Sequence, residues 1–425
     1  MRDSDNKPRQ KLYYGWYITL TLALTETISW GIIYYAFTVF ITPMETELGW
    51  SRTELTGGFS LALLVAGAMA FPVGTWIDRH GPRLLMTTGS ILASVLIVAW
   101  SQVTDKTTFY LIWAGLGVCA AAVLYEPAFA VVAKWFVTKR SRALAIITFA
   151  AGLASTIFIP VSDALRVAVG WRDAVLILGI FLALTTIPLH ALVLRRRPDD
   201  LGLLPDGDDH STFAVRPRLR GLSLHTAVHS RFFWLLTLAF SFAALSSAGI
   251  RVHFIPLLID SGIDPSAAAI ASGSIGLMQV VGRVIFAPLD SRLSIRVMVC
   301  GVFALQTAAT FALFFGPSLW AVGLFTVVFG AAYGAQTLAR ASVIAEIFGP
   351  SHYGRISSVM AIFLTLAGTA APVGAGLIHD HFGSYELVLW LVVILGVSAA
   401  GVMAFARPTT TDAVEVDGHA APVNS

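Results

Sequence analysis

The segment GTWIDRHGPR at residues 74–83 separates two long apolar runs and decides how this chain folds. Asp78, Arg79 and Arg83 are too costly to leave in hydrocarbon, so the segment is expected to form a tight, charged turn at a membrane surface. The Gly-Pro pair inside it favours a turn, because Pro lacks a backbone N–H and Gly adopts turn conformations readily. The apolar runs on either side are therefore predicted to be membrane-spanning helices.

A related turn occurs in the second half of the chain, where Asp290 follows Asp78 by 212 positions. Prolines and glycines repeat at nearly the same interval, which predicts two similar halves. The pairs separated by 213 positions are Pro43 with Pro256, Gly49 with Gly262, and Gly170 with Gly383. Parallel repeats of this kind place a binding site between the halves near the membrane midplane.

The composition excludes several classes of protein. Charged residues make up 12% of the chain and apolar residues 56%, with a mean hydropathy of +0.76, whereas soluble domains contain roughly 25% charged residues. No basic tract with interleaved aromatic residues indicates nucleic-acid binding. Cys119 and Cys300 both lie in apolar runs, which argues against a disulfide framework. An all-α integral membrane protein is predicted.

Twelve stretches are long and apolar enough to span a membrane, given that a span needs about 20 apolar residues. They are residues 15–41, 54–77, 83–101, 109–136, 143–167, 174–194, 232–259, 265–289, 295–315, 319–348, 356–378 and 387–405. Between Tyr125 and Pro127 the fourth span is expected to kink, because Pro127 cannot donate to the preceding turn.

The distribution of Lys and Arg predicts the topology. One side of the membrane would carry most of them, and the other only Arg52, Lys106, Arg166 and Arg172. The Lys- and Arg-rich side is expected to be cytoplasmic and to hold both termini. The domain prediction is a cytoplasmic tail at 1–14, a six-span half at 15–195, a cytoplasmic linker at 196–230, a second half at 231–406 and a disordered tail at 407–425.

Charged side chains inside the spans are the strongest functional signal, because each costs roughly 2.5–3.5 kcal/mol on insertion scales near the membrane centre. Such groups are expected to pair, to face water or to bind a ligand. The candidates are Glu26, Glu126, Arg251, His253, Arg283 and Arg340. Three arginines against two glutamates leave one positive charge in excess, which suits a site for one carboxylate.

Several motifs resemble those of the major facilitator superfamily. The segment at 74–83 resembles the loop signature that follows helix 2 in that superfamily. More narrowly, YYGWY at 13–17, LGWSR at 48–52, KWF at 134–136 and RPDDLGLL at 197–204 resemble the branch of bacterial monocarboxylate transporters and oxalate–formate antiporters. This resemblance covers nearly the whole chain and implies twelve helices in two pseudo-symmetric six-helix halves.

The resemblance also implies roles for particular residues. Spans 1, 4, 7 and 10 line the central cavity in the superfamily, and an arginine in helix 8 binds the anion in monocarboxylate transporters; Arg283 holds the matching position. The alternative for Arg283 is a structural pair near the inner surface. The other residues expected to bind or shape the substrate are Arg251, Tyr34, Tyr35, Gln279, Tyr333 and Arg340.

The chain departs from the mammalian-type members of this branch at two places. Gln279 stands where those members carry an Asp, and Tyr34 and Tyr35 occupy the region where they carry a Lys, so proton coupling through that pair is not expected. The eleventh span contains no Lys or Arg, and a dicarboxylate would lack its second counter-charge there, which disfavours oxalate.

Three groups are candidates for carrying protons: Glu26, Glu126 and His253. A carboxyl that alternates between an apolar setting and an adjacent arginine would bind and release a proton. The alternative for each glutamate is a fixed ion pair with Arg340 or Arg251, and the alternative for His253 is a fixed hydrogen bond.

The sequence also predicts gating residues, and it predicts neither a metal site nor a catalytic site. The resemblance implies gating roles for Asp78, Arg79, Arg83, Arg142 and Asp290. The run His379-Asp380-His381 offers only three adjacent candidates and is not expected to bind metal. Nothing in the sequence arranges a catalytic triad, so no enzymatic activity, cofactor or metal is predicted.

The predicted function is secondary active transport of a small organic anion, a monocarboxylate above all, by alternating access with proton coupling. Efflux of amphipathic organic compounds and organic-anion exchange are alternatives, and a membrane receptor or sensor is an alternative from another class. The expected location is the inner (plasma) membrane of a bacterium, with the lipid bilayer, the anion and protons as partners.

Overall fold

A computed structural model describes residues 13–207, 222–286, 294–316, 318–348 and 353–406. These residues are almost entirely helical and contain no strand. The helices of the first part are α1 (Tyr14–Ser29), a π-helix (Trp30–Tyr35), α2 (Phe37–Leu48), α3 (Arg52–His80), α4 (Pro82–Ser101), α5 (Lys106–Val123), α6 (Tyr125–Trp135), α7 (Arg140–Gly152) and α8 (Ala154–Val193).

Two short 3-10 turns, Pro198–Leu201 and Pro205–Gly207, follow α8. The later helices are α9 (Leu224–His229), α10 (Arg231–Asp260), α11 (Pro265–Phe286), α12 (Ile295–Phe311) with a 3-10 turn at Ala312–Phe315, α13 (Leu319–Phe348), α14 (Tyr353–Phe382) and α15 (Glu386–Phe405). The last span was predicted at 387–405, within one residue of α15.

Within the described ranges, eleven helical segments are long and apolar enough to cross a membrane. One of them, Arg142–Val193, has 52 residues; a straight helix of that length would be about 78 Å long at 1.5 Å per residue, against about 30 Å of hydrocarbon. Gly170 breaks it with φ 83° and ψ 167°. This segment therefore holds the fifth and sixth predicted spans, and twelve spans result.

The first span is longer than its apolar stretch indicates. We predicted an end near Ile41, but helical structure continues through Pro43 to Leu48. An apolar-length criterion stops where polar residues begin, whereas a helix continues into the aqueous phase for as long as its backbone hydrogen bonds persist. The fourth span is interrupted at Leu124, whose φ and ψ of −90° and −159° are extended, directly before Tyr125. The kink expected near Pro127 is thus present.

Glycines at matching positions of the two halves share an unusual backbone conformation. Gly49 and Gly262 have φ of 66° and 87°, and Gly170 and Gly383 have φ of 83° and 69°. Positive φ is readily available only to glycine, and each of these residues closes a helix. The repeat inferred from sequence intervals of 213 residues therefore corresponds to repeated helix ends.

The chain forms two compact units. The first holds the described chain up to Phe37 and again from Val65 to residue 207; the second holds Thr38–Leu64 and the described chain from residue 222 onward. In the first unit, Ile18, Val132 and Trp135 belong to one buried core. In the second, the core is built around aromatic residues, among them Phe233, Phe240, Phe303 and Phe348.

The start of the linker is fixed to the first unit. The carboxylate of Asp206 accepts backbone N–H groups of Val137, Thr138 and Lys139 at 3.0, 2.8 and 3.1 Å. Asp206 has φ 63°, a conformation that Asp tolerates better than most residues. The predicted linker at 196–230 is therefore ordered at least to Gly207; its residues 208–221 lie outside the described part of the chain.

Candidate functional site

The first unit carries an intramembrane carboxyl beside an irregular helical turn. Glu26 on α1 has no exposed surface, and within the described chain neither carboxylate oxygen has a hydrogen bond of good geometry. The indole N–H of Trp30, one turn further along, interacts with this carboxyl. A charged carboxylate without a partner costs several kcal/mol in such a setting. The carboxyl is therefore expected to be neutral in this conformation.

An aromatic cluster follows Glu26. The π-helix contributes Trp30, Tyr34 and Tyr35, and α6 contributes Tyr125, whose ring centroid lies 5.1 Å from that of Trp30. Trp30 lies 5.2 Å from Tyr34 and 6.4 Å from Tyr35, measured between ring centroids. Single π-helical turns are frequent at functional sites because they re-aim side chains out of the regular ladder. Glu126 follows Tyr125 and is exposed.

In the second unit, Arg251 of α10 contacts Tyr333 of α13. The guanidinium carbon lies 4.3 Å from the ring centroid, within the range of a cation–π interaction. The Arg251 Nε donates to the carbonyl of Ser247 at 3.3 Å, so the head group lies back along its own helix. Both Arg251 and Tyr333 are half-buried.

Helices α11 and α13 pack backbone to backbone beside this pair. A Cβ built on Gly334 would lie 2.0 Å from the carbonyl oxygen of Gln279, and one built on Gly282 would lie 2.0 Å from that of Ala331. Only glycine permits such an approach, as in other close helix pairs in membranes. Gln279 is buried at this crossing, and Arg283 is one turn further along α11. Tyr333, which contacts Arg251, therefore lies at about the same level of α13 as Gln279 and Arg283 on the adjacent α11.

Two other predicted site residues, Arg340 and His253, do not belong to this group. Arg340 is half-buried on α13, seven residues and thus about 10 Å along the helix from Tyr333. His253 is fully buried, and both ring nitrogens are engaged: Nδ1 with the Tyr385 hydroxyl at 2.7 Å and Nε2 with the carbonyl of Pro372 at 2.8 Å. These contacts correspond to the fixed hydrogen-bonded histidine that we considered as its alternative role.

The predicted gating residues are only partly described. Arg79 and Arg83 are exposed at the turn between α3 and α4. The Arg142 guanidinium lies 5.5 Å from the Trp16 ring centroid. Asp290 and the side chain of Asp78 lie outside the described part of the chain.

Sequence reasoning missed two features, one in each unit. Lys134 Nζ donates to the carbonyl of Ile77 at 3.0 Å, next to the charged turn. Arg52 is only 4% exposed and donates to Asp260, Tyr385 and Glu45. The signal available for Arg52 was its position in the LGWSR motif, since charge counting placed it only on the side of the membrane that is poor in Lys and Arg.

Two of the four motifs that carry the branch resemblance contact one another. The Tyr13 hydroxyl donates to the carbonyl of Trp135 at 3.1 Å, and the rings of Trp16 and Phe136 lie 4.8 Å apart between centroids. The Tyr14 hydroxyl donates to the carbonyl of Val193 at 2.9 Å. YYGWY and KWF thus form one anchoring corner of the first unit, which explains why aromatic residues occupy both.

Twelve apolar spans in two similar halves define a polytopic integral membrane protein. The model of the Major Facilitator Superfamily matches residues 22–295 and 244–423, and the chain belongs to this superfamily of transporters. The predicted family and fold class are confirmed, and the family and its relatives are transporters, not enzymes, as predicted. The orientation of the termini stays a prediction.

Relatives of the chain span most of its length. It is 24% identical over 405 residues to the uncharacterised MFS-type transporter YcxA of Bacillus subtilis (strain 168), covering 92% of this chain and 94% of that protein. It is 26% identical over 406 residues to human monocarboxylate transporter 11, covering 88% and 78%. Human monocarboxylate transporter 7 is 23% identical over 459 residues, covering 93% and 86%.

Among solved structures, the fold is similar to that of a bacterial homologue of the human lysosomal transporter Spinster. The TM-score is 0.70 at 17% identity, over 93% of this chain and 95% of that protein. At this identity the likeness concerns the fold alone.

Proposed function

We propose that this transporter carries a small organic anion, a monocarboxylate above all, by alternating access with proton coupling. The observation that carries the proposal is the contact of Arg251 with Tyr333 beside Gln279 and Arg283. Two arginines and an amide in one part of an apolar unit supply charge and hydrogen-bond donors for one carboxylate. When the flat face of a guanidinium group contacts an aromatic ring, the N–H groups at its edge can still donate to a carboxylate, often with two hydrogen bonds.

The relatives support the same class of substrate. Several of them are named monocarboxylate transporters, and they cover most of the chain at 23–26% identity. Identity at this level supports the class of anion and leaves its chain length open.

Glu26 is the proposed proton carrier. A carboxyl that is fully buried next to an indole N–H, and has no cation within the contacts of the described residues, is most stable when neutral. If the site opens to water, the same carboxyl can ionise at little cost. Alternation between these two settings would bind a proton in one and release it in the other, which couples proton movement to transport.

The proposal is tested by ligand-dependent thermal stability of the purified protein, with acetate, lactate, pyruvate, benzoate and oxalate as probes. A ligand that binds only the folded protein stabilises it by about 2.7 kcal/mol at a hundred times its Kd. The wild type, Arg251→Gln and Arg283→Gln are compared. Arg166→Gln is the matched control, because Arg166 also lies in an apolar helix but pairs with Asp163 at 2.8 Å.

A monocarboxylate is expected to stabilise the wild type and the Arg166 variant and to lose its effect on both site variants. Oxalate should give the smaller shift. If no carboxylate stabilises the wild type, the proposal is wrong. If a carboxylate stabilises all four proteins equally, it binds elsewhere.

A second candidate is supported by the aromatic cluster of the first unit. The rings of Tyr34, Tyr35 and Tyr125 lie 5.1–6.4 Å from that of Trp30, measured between centroids. Such a surface suits a flat apolar group, so an amphipathic organic compound is the alternative substrate. A shift with neutral aromatic compounds that survives Arg251→Gln and Arg283→Gln would favour efflux of such compounds. Counter-transport of a preloaded anion without a proton gradient would favour exchange.

A further inference from the structure

Arg52 is a buried cation at a meeting point of helix ends within the second unit. It opens α3, and its Nη1 and Nη2 donate to the carboxylate of Asp260, at the end of α10, at 2.5 and 2.8 Å. Its Nε donates to Glu45 of α2 at 3.0 Å. Because the Arg52 side chain is 5% exposed and that of Asp260 36%, the arginine depends on this pair more than the aspartate does.

Two further groups on α14 face this pair. His379 Nε2 lies 3.2 Å from Arg52 Nη1 and 3.3 Å from Asp260. Asp380 accepts the backbone N–H of Thr53 at 2.9 Å and also its hydroxyl. Arg52 is thus surrounded by Glu45, Asp260 and Asp380, with His379 between the two aspartates.

A directed chain of hydrogen bonds leads from Arg52 into the unit. An arginine can only donate, so the Tyr385 oxygen accepts from Nη1 at 3.0 Å. A carbonyl can only accept, so His253 Nε2 donates to Pro372 at 2.8 Å. A neutral ring then offers Nδ1 as acceptor for the Tyr385 hydroxyl at 2.7 Å. Each hydrogen bond in this chain therefore has a fixed donor and a fixed acceptor.

The chain passes through His253, which lies two residues after Arg251 on α10. Residues two apart on a helix point to different sides, so Arg251 reaches Tyr333 of α13 while His253 reaches Pro372 of α14. Pro256 of α10 cannot donate to the carbonyl of Val252, which weakens the helix at this level. The orientation of this turn therefore depends on the contacts that hold His253.

We propose that Tyr385 and His253 are positioning residues that connect the Arg52–Asp260 pair to Arg251, so that the placement of Arg251 depends on the state of that pair. Arg251 is the anion contact only under the proposed function; the mechanical link itself does not require it. Breaking the pair would leave Glu45 as the carboxylate bonded to the buried Arg52, and the resulting shift of Arg52 toward Glu45 would withdraw the donor from Tyr385.

The test measures maleimide labelling of Ser247→Cys in protein reconstituted in lipid nanodiscs. Ser247 is 1% exposed, and its carbonyl accepts from Arg251, so its labelling rate reports movement of this turn. Cys119 and Cys300 are first replaced by serine. The rate is divided by the labelling rate of the exposed Thr46→Cys, measured separately, to correct for differences in maleimide concentration and reactivity.

Tyr385→Phe and Asp260→Asn are each expected to raise the normalised rate about fivefold, as for loss of one hydrogen bond. Because both act through one chain, the double variant should show the larger single effect and not the product. Asp264→Asn is the matched control: Asp264 lies four residues beyond Asp260 and only caps α11 through Ser266 and Ala267. It should label like the wild type.

Arg52→Gln combined with Asp260→Asn should label about as fast as Asp260→Asn alone, because both changes remove the donor to Tyr385 at the start of the same chain. Unchanged labelling in Tyr385→Phe would overturn the proposal, as would effects of Tyr385→Phe and Asp260→Asn that multiply. These rates need no substrate. Failure of every carboxylate to bind would refute the proposed function and leave the link to be judged by labelling alone.

Discussion

The guanidinium carbon of Arg251 lies 4.3 Å from the centroid of the Tyr333 ring, which joins α10 to α13 through a cation–π contact. Tyr333 precedes Gly334, the residue that lets α13 approach the backbone of α11 at Gln279. Helix α13 thus contacts α10 through Tyr333 and α11 through the neighbouring Gly334. This arrangement fixes the head group of an intramembrane arginine, which is the requirement for recognising a small anion.

Tyr333 gives the first prediction. Tyr333→Phe keeps an aromatic face for Arg251, whereas Tyr333→Leu removes it. A cation–π contact of ~1–2 kcal/mol then predicts about 5- to 30-fold weaker carboxylate binding for the leucine variant and little change for the phenylalanine variant. A binding isotherm followed by thermal stability measures both. Equal losses would show that the hydroxyl, and not the ring face, matters.

Gly334 gives the second prediction. An added Cβ would lie 2.0 Å from the Gln279 carbonyl oxygen, and backbone cannot yield as a flexible side chain can. Gly334→Ala should cost more than about 3 kcal/mol of stability. Gly323→Ala is the control on the same helix, since its Cβ would meet no atom within 4 Å; alanine there should be neutral or stabilising by up to about 1 kcal/mol. Thermal unfolding of both variants measures the difference in stability. Similar Tm values would contradict the close contact of Gly334 with the Gln279 backbone.

Glu26 gives the third prediction. Glu26→Gln is close to a permanently neutral carboxyl, so the buried setting should be retained without loss of stability. Substrate exchange should persist, while accumulation driven by a proton gradient should be lost. Uptake and counter-transport into proteoliposomes separate the two activities.

Glu126→Gln serves as the control for Glu26→Gln, because Glu126 is exposed. Its substitution should leave proton-driven accumulation in place. Retained accumulation in Glu26→Gln would assign the proton to another group.

Asp206 gives the fourth prediction. Burial raises the pKa of this carboxyl, but the N–H groups of Thr138, Lys139 and Val137 outweigh that effect and hold its pKa below the ordinary value. A carboxylate with a lowered pKa stabilises the folded state above its ordinary pKa of about 3.9, and this contribution is lost as the pH falls through the folded pKa. Asp206→Asn should therefore lower Tm at pH 7 and converge with the wild type below about pH 4.

The expected decrease for Asp206→Asn is about 2–4 °C for each kcal/mol lost in a unit of 150–250 residues. Asp200→Asn is the control, because exposed Asp200 accepts a single backbone N–H, that of Arg197, at 3.1 Å. A Tm difference for Asp206→Asn that persists unchanged at pH 3 would contradict the assignment.

Much of the fold was predictable because a membrane span is a local property. Twenty apolar residues in a row specify a span wherever they occur, and glycines at an interval of 213 residues marked repeated helix ends. Helix ends were less predictable. α2 continues to Leu48, beyond the apolar stretch, since backbone hydrogen bonds and not hydropathy set the end of a helix.

The candidate site was predictable in part. A charge inside an apolar run is visible in the sequence, so Glu26, Arg251 and Arg283 were identified without coordinates. Their surroundings were not visible. The contact of Arg251 with Tyr333 and the burial of Glu26 depend on which helices pack together, and no local pattern specifies that.

The sequence by itself determined the class of protein, the number of spans and the presence of charges within them. Only the tertiary structure decided which charges are buried together. Charge counting assigned Arg52 to a side of the membrane and said nothing of its burial. It is 4% exposed, and its partners Asp260 and His379 lie 208 and 327 residues away in sequence. The physical reason is that these charged side chains are buried and paired where helix ends meet in space. Hydropathy and charge counts, in contrast, depend only on residues that are neighbours along the chain.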